Sequence, residues 1–315
     1  AQPAIQYADA QTGKVHDFIA VRNGEEIWMA AENGIFRFFE DGDPLQIFTP
    51  YPSIVEAISI SRIATSLSNE VIYVGGRGYA AWTNDYGVNW NVLHSGNSNL
   101  SSSDTVLQAV ANPQSDIWVR VNEQVMRQQG SQFQASGYFS PSIAIAPTGC
   151  CDLYFADQRF TDPPVFKFVG PAVSNWVAMN TPYQPPLTWA PQNNYGLKIM
   201  YSGNELWYAS LGTLYRYNNG TWMGYSMPNS STQNNFFAPT GDSCLVGVSD
   251  LIFNFIVKED TAYKCLNPLL ASFSNMNMND IKEFEFFDST LYLHKGDQVF
   301  QILANKIHAK GNSVG

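Results

Sequence analysis

The sequence predicts an all-β chain: one domain over residues 1–315, a single seven-bladed β-propeller of four-stranded antiparallel blades closed by the N-terminal strand. Three observations predict it. A strand–turn–strand segment recurs, its copies are spaced like propeller blades, and one strand is left over at the N-terminus. In the clearest copy, Glu26-Ile27-Trp28-Met29-Ala30 is followed by Asn33-Gly34-Ile35-Phe36-Arg37-Phe38 and then by Glu40-Asp41-Gly42-Asp43. A second copy reads Glu205-Leu206-Trp207-Tyr208-Ala209, Gly212-Thr213-Leu214-Tyr215-Arg216-Tyr217, Asn218-Asn219-Gly220. The apolar runs have strand length, and the turns carry the residues that accept positive φ.

The first apolar residue of that strand is Ile27, Ile72, Ile117, Leu153, Leu206, Leu245 and Leu291 in successive copies. The intervals are 45, 45, 36, 53, 39 and 46 residues, and one four-stranded blade takes roughly 40–50. An inner strand precedes each anchor: 17–21, 55–60, 106–111, 142–146, 197–201, 236–239 and 281–286. The last blade then has three strands, ending near Leu303, and residues 4–8 form a spare strand at the other terminus. Pairing the two would hide sheet edges that otherwise invite aggregation. A two-domain all-β protein and a β-helix are the alternatives, and a β-helix needs shorter, more regular rungs.

Composition limits the partners. Hydrophobic residues make up 45% of the chain and charged residues only 14%, below the usual quarter. Polarity therefore comes from Asn, Gln, Ser and Thr, as in secreted β-rich proteins. The net charge is −10, and the 17 basic residues form no run. Nucleic acid and anionic membranes are thus not expected as partners. No apolar stretch reaches the length of a spanning helix, so membrane insertion is not expected. The chain begins Ala-Gln-Pro, which reads as a mature or trimmed terminus. A secreted, periplasmic or bacterial cell-surface location is the expectation.

Cys150, Cys151, Cys244 and Cys265 allow three disulfide pairings, and buried free thiols are an equal reading. No Cys-x-x-Cys spacing suggests zinc. His16, His94, His294 and His308 show no metal-ligand or catalytic spacing, although His16 and His294 fall in the first and last blades. A Gly-x-Ser-x-Gly elbow, a P-loop and an EF-hand loop are missing, so no cofactor or metal is expected.

Two motifs carry a resemblance. Asn23 to Phe38, and Asn97-Ser98-Asn99-Leu100-Ser101-Ser102 leading through Val106 to Asp116-Ile117-Trp118-Val119, resemble the repeats of two-component-regulator propellers. The Gly-Thr that usually follows the strand in that family is missing from every copy. Thr83-Asn84-Asp85-Tyr86-Gly87-Val88-Asn89-Trp90 resembles the Asp-box of sialidase-like propellers. There the Asp caps a hairpin, Gly takes the left-handed position and Trp packs beneath. That likeness implies a structural turn at a blade's outer edge, away from any active site.

Sialidase chemistry would further require three converging arginines. Arg22, Arg37, Arg62, Arg77, Arg120, Arg127, Arg159 and Arg216 are available, but the Arg-Ile-Pro typical of sialidases is absent. The regulator resemblance and the lack of catalytic signatures point to a non-catalytic binding or scaffolding module for a protein or glycan. A propeller glycoside hydrolase or lyase is the alternative, because a carboxylate pair is set by space and not by sequence spacing.

Two segments are the candidate binding residues. Arg77 lies in Gly75-Gly76-Arg77-Gly78, where glycines allow close backbone approach to a ligand or merely a tight turn. The longest interval contains residues 183–195, with Tyr183, Trp189 and Tyr195 among prolines. Long loops on a rigid scaffold often carry recognition, and aromatic residues are favoured anchors. A loop folded back over apolar surface is the competing reading. Asn275-Met276-Asn277-Met278-Asn279 is a further candidate loop.

Overall fold

The computed structural model describes residues 4–7, 12–22, 26–39, 45–48, 55–66, 69–111, 116–140, 143–145, 153–156, 165–170, 172–179 and 220, and the strands from Lys198 to Ile302. It begins with β1 (Ala4–Tyr7). The first sheet holds β2 (Val15–Val21), β3 (Glu26–Ala31), β4 (Gly34–Phe39) and β5 (Leu45–Phe48). The second holds β6 (Ser59–Ser66), β7 (Asn69–Gly76), β8 (Tyr79–Thr83) and β9 (Asn91–His94). The third holds β10 (Val106–Ala111), β11 (Ile117–Val121), β12 (Gln124–Gln129) and β13 (Gln132–Phe139). The fourth holds β14 (Ile143–Ile145), β15 (Leu153–Ala156), β16 (Val165–Phe168) and β17 (Trp176–Ala178). The fifth holds β18 (Lys198–Ser202), β19 (Glu205–Ser210), β20 (Thr213–Asn218) and β21 (Thr221–Ser226). The sixth holds β22 (Asn235–Thr240), β23 (Ser243–Val248), β24 (Leu251–Lys258) and β25 (Thr261–Leu266). The last holds β26 (Ile281–Phe287), β27 (Thr290–Lys295) and β28 (Gln298–Ile302). Among the described residues these make seven four-stranded antiparallel sheets, with β1 as outer strand of the last.

All seven anchors lie in the second strand of their sheet. The spare strand pairs as expected, Ala4 facing Ile302 and Tyr7 facing Val299. One inner strand differs. Residues 55–60 were expected to form it, but the ladder runs Ser59–Ser66, from Ser59 opposite Gly75 to Ser66 opposite Asn69. The apolar residues before Ser59 serve as a connector instead: Ala57 N donates to Ala31 O at 2.9 Å and Ile58 N to Gly75 O at 2.8 Å.

Side-chain alternation explains why these strands look apolar throughout. Every residue of β3 is buried. Ile27 and Met29 join a core with Phe18 and with Val299 of the last sheet. Trp28 and Ala30 point the other way, into a core with Ile60, Ile72 and Val74 of the second sheet. Successive residues of a strand thus serve different inter-sheet cores. The same holds at Trp118, which faces the fourth sheet through Phe168 and Trp176, while Val119 faces the second. The first strands of consecutive sheets contact one another from β2 to β26, and β2 also meets β28.

Side chains also close strand edges. Along the first strands, Ile60 N donates to Asp17 Oδ2 (2.9 Å) and Ala109 N to Ser61 Oγ (3.3 Å). Gln108 accepts from Ile143 N at 3.0 Å and donates to Ile143 O at 2.9 Å. At the outer edges, Asn97 accepts from His94 N (2.7 Å) and donates to Val92 O (2.9 Å). Asn99 does the same in the next sheet, accepting from Phe133 N (2.8 Å) and donating to Phe133 O (2.9 Å). An Asn-x-Asn pair therefore blunts β9 and β13 together, satisfying main-chain groups that would otherwise template another strand. Leu100 beside it is buried between the two sheets.

Candidate functional site

The described part of the candidate site is the end of the sheets that bears Arg77. Here, in the first three sheets, the turn between second and third strands meets the connector that enters the following sheet. Gly75 has no room for a side chain, because a Cβ would overlap the Val106 carbonyl and Ser59 Oγ of the packed strands. A Cβ on Gly76 would strike the Tyr79 ring. Gly75 thus serves close packing between the second and third sheets, and Gly76 leaves room for the Tyr79 ring across the hairpin of the second sheet. Arg77 is exposed and bridges Thr105 through its main chain. Gly78, at φ 77°, donates to Asp104 O at 2.6 Å.

The connector is held from its other side by Asn122, at φ 48° in the next turn. Its Oδ1 accepts from Thr105 N and its Nδ2 donates to Asp104 Oδ1, both at 2.8 Å. Asp104 Oδ2 accepts from Ser101 N at 2.8 Å. Ser140 N, entering the fourth sheet, donates to Glu123 O at 2.7 Å. Main-chain bonds and the side chains of Asn122 and Asp104 therefore fix this end together, and Arg77 is exposed on it. Residues 179–197 join β17 to β18 and so leave and enter the sheets at this same end. Tyr183, Trp189 and Tyr195 lie outside the described residues, as do residues 275–279, and sequence alone bears on them.

The first sheet adds an ionisable pair at the same end. His16 is the extra residue of a bulge in β2, where the register steps between Val15 and Asp17. Its Nε2 lies 2.8 Å from Glu56 Oε1, and Glu56 is the more exposed of the two. The Tyr79 hydroxyl donates to Glu56 O at 3.1 Å. Burial, with the Glu56 charge adding to it, pushes the Tyr79 phenol well above the ordinary range. His294 packs edge-on against Phe18, ring centroids 6.1 Å apart, which brings the first and last sheets together.

The described arginines do not converge on one point. Arg22 and Arg37 reach buried Glu26, Arg62 pairs with Glu70, and Arg127 pairs with Asp116. Arg216 lies over Trp207, and burial lowers Arg120 to about 10 against the opposing charge of Glu123. Arg159 is outside the described residues. A regularity in the sequence accounts for three of them: an acid, Trp two residues on, Arg eleven residues on. It occurs at Glu26-Trp28-Arg37, Asp116-Trp118-Arg127 and Glu205-Trp207-Arg216. Register places each Arg directly opposite its Trp, so the spacing marks a cross-strand structural unit. Reading the second and third strands of each sheet together would have found it.

The turn at Thr83 to Trp90 is held by side chains. Thr83 Oγ1 accepts from Gly87 N (2.9 Å) and donates to Asp85 Oδ1 (2.7 Å). Asp85 accepts from Asn89 N (2.9 Å) and from Asn89 Nδ2 (2.7 Å). The two Asn89 bonds, backbone first, and then that from Thr83 hold the Asp85 carboxyl below the usual range. Gly87 takes φ 87°, and Trp90 stacks on Phe48 of the neighbouring sheet at 4.1 Å. The turn joins β8 to β9 at the end opposite Arg77.

The cysteines remain separate where the backbone is described. Cys244 lies on β23 and Cys265 on β25, with β24 between them. Two strand spacings amount to about 10 Å, beyond the reach of a disulfide. Cys150 and Cys151 lie outside the described residues.

No protein-family model and no curated protein matches the chain. Solved structures do. YCF48 bound to a D1 peptide is 12% identical, with a TM-score of 0.62, over 96% of this chain and 97% of that one. The extracellular domain of the two-component system BT4673 of B. thetaiotaomicron is 13% identical, with a TM-score of 0.62, over 96% of this chain and 43% of that one. The GH74 enzyme of Niastella koreensis is 12% identical, with a TM-score of 0.63, over 95% of this chain and 53% of that one. The chain thus spans about half the length of the last two. At these identities the likeness concerns the fold, and the fold is that of a β-propeller.

Proposed function

We propose that this chain is a non-catalytic, extracytoplasmic propeller that binds or scaffolds a protein or glycan partner. In this reading the seven sheets close into one ring through the pairing of β1 with β28. The partner docks on the end bearing Arg77, with Tyr183, Trp189 and Tyr195 as aromatic anchors. The observation that carries the reading is the division of labour at that end. Main-chain bonds such as Gly78 N to Asp104 O fix the turns, which leaves Arg77 exposed for recognition. The likeness to YCF48, whose structure holds a peptide, and to the extracellular domain of a two-component system supports it.

The test pairs binding with stability. Trp189→Ala should weaken capture of a native partner by about 2 kcal/mol or more and leave stability within about 0.5 kcal/mol. A stability loss of about 3 kcal/mol with unchanged capture would mean that Trp189 is a covering residue. A second reading, a glycoside hydrolase or lyase, draws on Glu56, a half-exposed carboxylate 2.8 Å from His16. Polysaccharide cleavage abolished by Glu56→Gln would establish it in place of the binding role.

A further inference from the structure

The outer strands of the first four sheets are not protected alike. In an outer strand every second residue turns its N–H and C=O away from the ladder, where another chain can pair with them. On β9 and β13 the side chains of Asn97 and Asn99 take up such groups at Val92, His94 and Phe133. Opposite β5 the register steps between Ile35 and Phe36, and such a bulge turns an edge away from a regular partner. β17 has neither device among the described residues.

β17 is the last strand of the fourth sheet, and its register is unbroken: Phe166, Lys167 and Phe168 face Ala178, Val177 and Trp176. The ladder continues on either side, Val169 N donating to Asn175 O and Met179 N to Val165 O, both at 2.9 Å. Asn175, Val177 and Met179 therefore direct their main-chain groups toward β16, and Trp176 and Ala178 turn theirs outward. Trp176 N donates to Ser174 O at 3.1 Å. The Trp176 carbonyl and both main-chain groups of Ala178 have no partner among the described residues. On one face of the strand Trp176 is buried against Trp118 of the third sheet. On the other face Val177 is 53% exposed. Val169 shares that face, because it pairs with Asn175, two residues from Val177, and it is exposed to the same extent. Ala178 is exposed as well.

We propose that β17 is a docking edge for an extended segment of a partner protein, which joins the fourth sheet as a fifth strand. The partner's main chain pairs with the Trp176 carbonyl and with both groups of Ala178, and an apolar side chain of the partner covers Val177. An extended polypeptide presents N–H and C=O groups at the strand repeat and a glycan does not, so this edge selects a protein. The burial of Trp176 holds the edge extended in advance, and little backbone freedom is lost at β17 on docking. The edge is the flank of a sheet, and the proposal does not depend on a partner at Arg77.

Fluorescence anisotropy with a labelled synthetic peptide alternating Thr and Val tests this on the full chain, against the same peptide with all its amides N-methylated. The unmodified peptide should bind, and the N-methylated one should bind at least about tenfold more weakly, because it has lost the donors of a strand. Ala178→Pro removes an N–H that faces outward, so no ladder bond is lost. It should weaken the peptide about tenfold and leave the melting temperature nearly unchanged. Val177→Lys keeps the strand and adds the charge that natural edges use against pairing; it should weaken the peptide as well. Arg77→Ala should leave binding unchanged. Equal binding of the N-methylated peptide, no binding of the unmodified one, or wild-type affinity in Val177→Lys would overturn the proposal. So would a dimer in analytical ultracentrifugation that Val177→Lys dissolves, since a second copy of the chain would then occupy the edge.

Discussion

The two ends of the sheets are held by different balances of main-chain and side-chain bonds. At the Arg77 end main-chain bonds tie each described turn to the next connector, Ala57 to Ala31, Gly78 to Asp104 and Ser140 to Glu123, and the side chains of Asn122 and Asp104 add to them. The positive-φ positions there include Gly78 and Asn122, residue types suited to them, and also Glu123. At the opposite end Thr83 and Asp85 hold a turn with side-chain oxygens, and positive φ falls on Arg22 and Tyr86. Where main-chain bonds hold a residue in place, as at Gly78 beside Arg77, the neighbouring exposed side chain is free to vary. Where side chains make the turn, their identity is part of the structure.

Breaking the main-chain end should take a backbone insult. Gly75→Val would drive a side chain into the Val106 carbonyl and Ser59 Oγ. It should destabilise by about 4 kcal/mol or more, measured by denaturant unfolding. Asn99→Ala removes the amide that serves both Phe133 N and Phe133 O. A loss of about 1–2 kcal/mol is expected, with faster amide exchange in β13.

The side-chain end should respond to pH. The Asp85 carboxyl is depressed in the folded protein, so its contribution is present above the unfolded value of about 3.9 and is lost as pH falls through the folded one. Asp85→Asn should therefore lower the melting temperature at neutral pH, and the difference should shrink toward zero below that range. A difference constant with pH would remove the charge from the account. The smallest effect belongs to Arg77→Ala, an exposed residue on a turn its main chain already holds. Its stability should stay within about 0.5 kcal/mol, so any loss of partner binding would be a loss of contact.

The repeat was legible because an anchor strand such as β3 is buried on both faces, which makes runs such as Glu26 to Ala31 stand out. The N-terminal strand was legible as a remainder, and it pairs with β28. The inner strand of the second sheet was not. Ser61 and Arg62 interrupt its apolar pattern, while the apolar residues before Ser59 form a connector. Ile60 and Ile63 nonetheless face different cores, as in any two-sided strand. At the candidate site, the glycines around Arg77 were visible but their cause was not. Val106, which forbids a side chain at Gly75, is 31 residues away and meets it only after the sheets pack.

The proposed closure of the sheets into one ring is tested most directly by the N-terminal strand. Amide exchange and thermal unfolding should be compared in the full chain and in one lacking residues 1–10. Closure predicts lost protection in Gln298–Ile302, whose ladder includes Ala4 opposite Ile302, and a stability loss of several kcal/mol from an exposed edge. Unchanged protection in those residues, with an unchanged melting temperature, would contradict it.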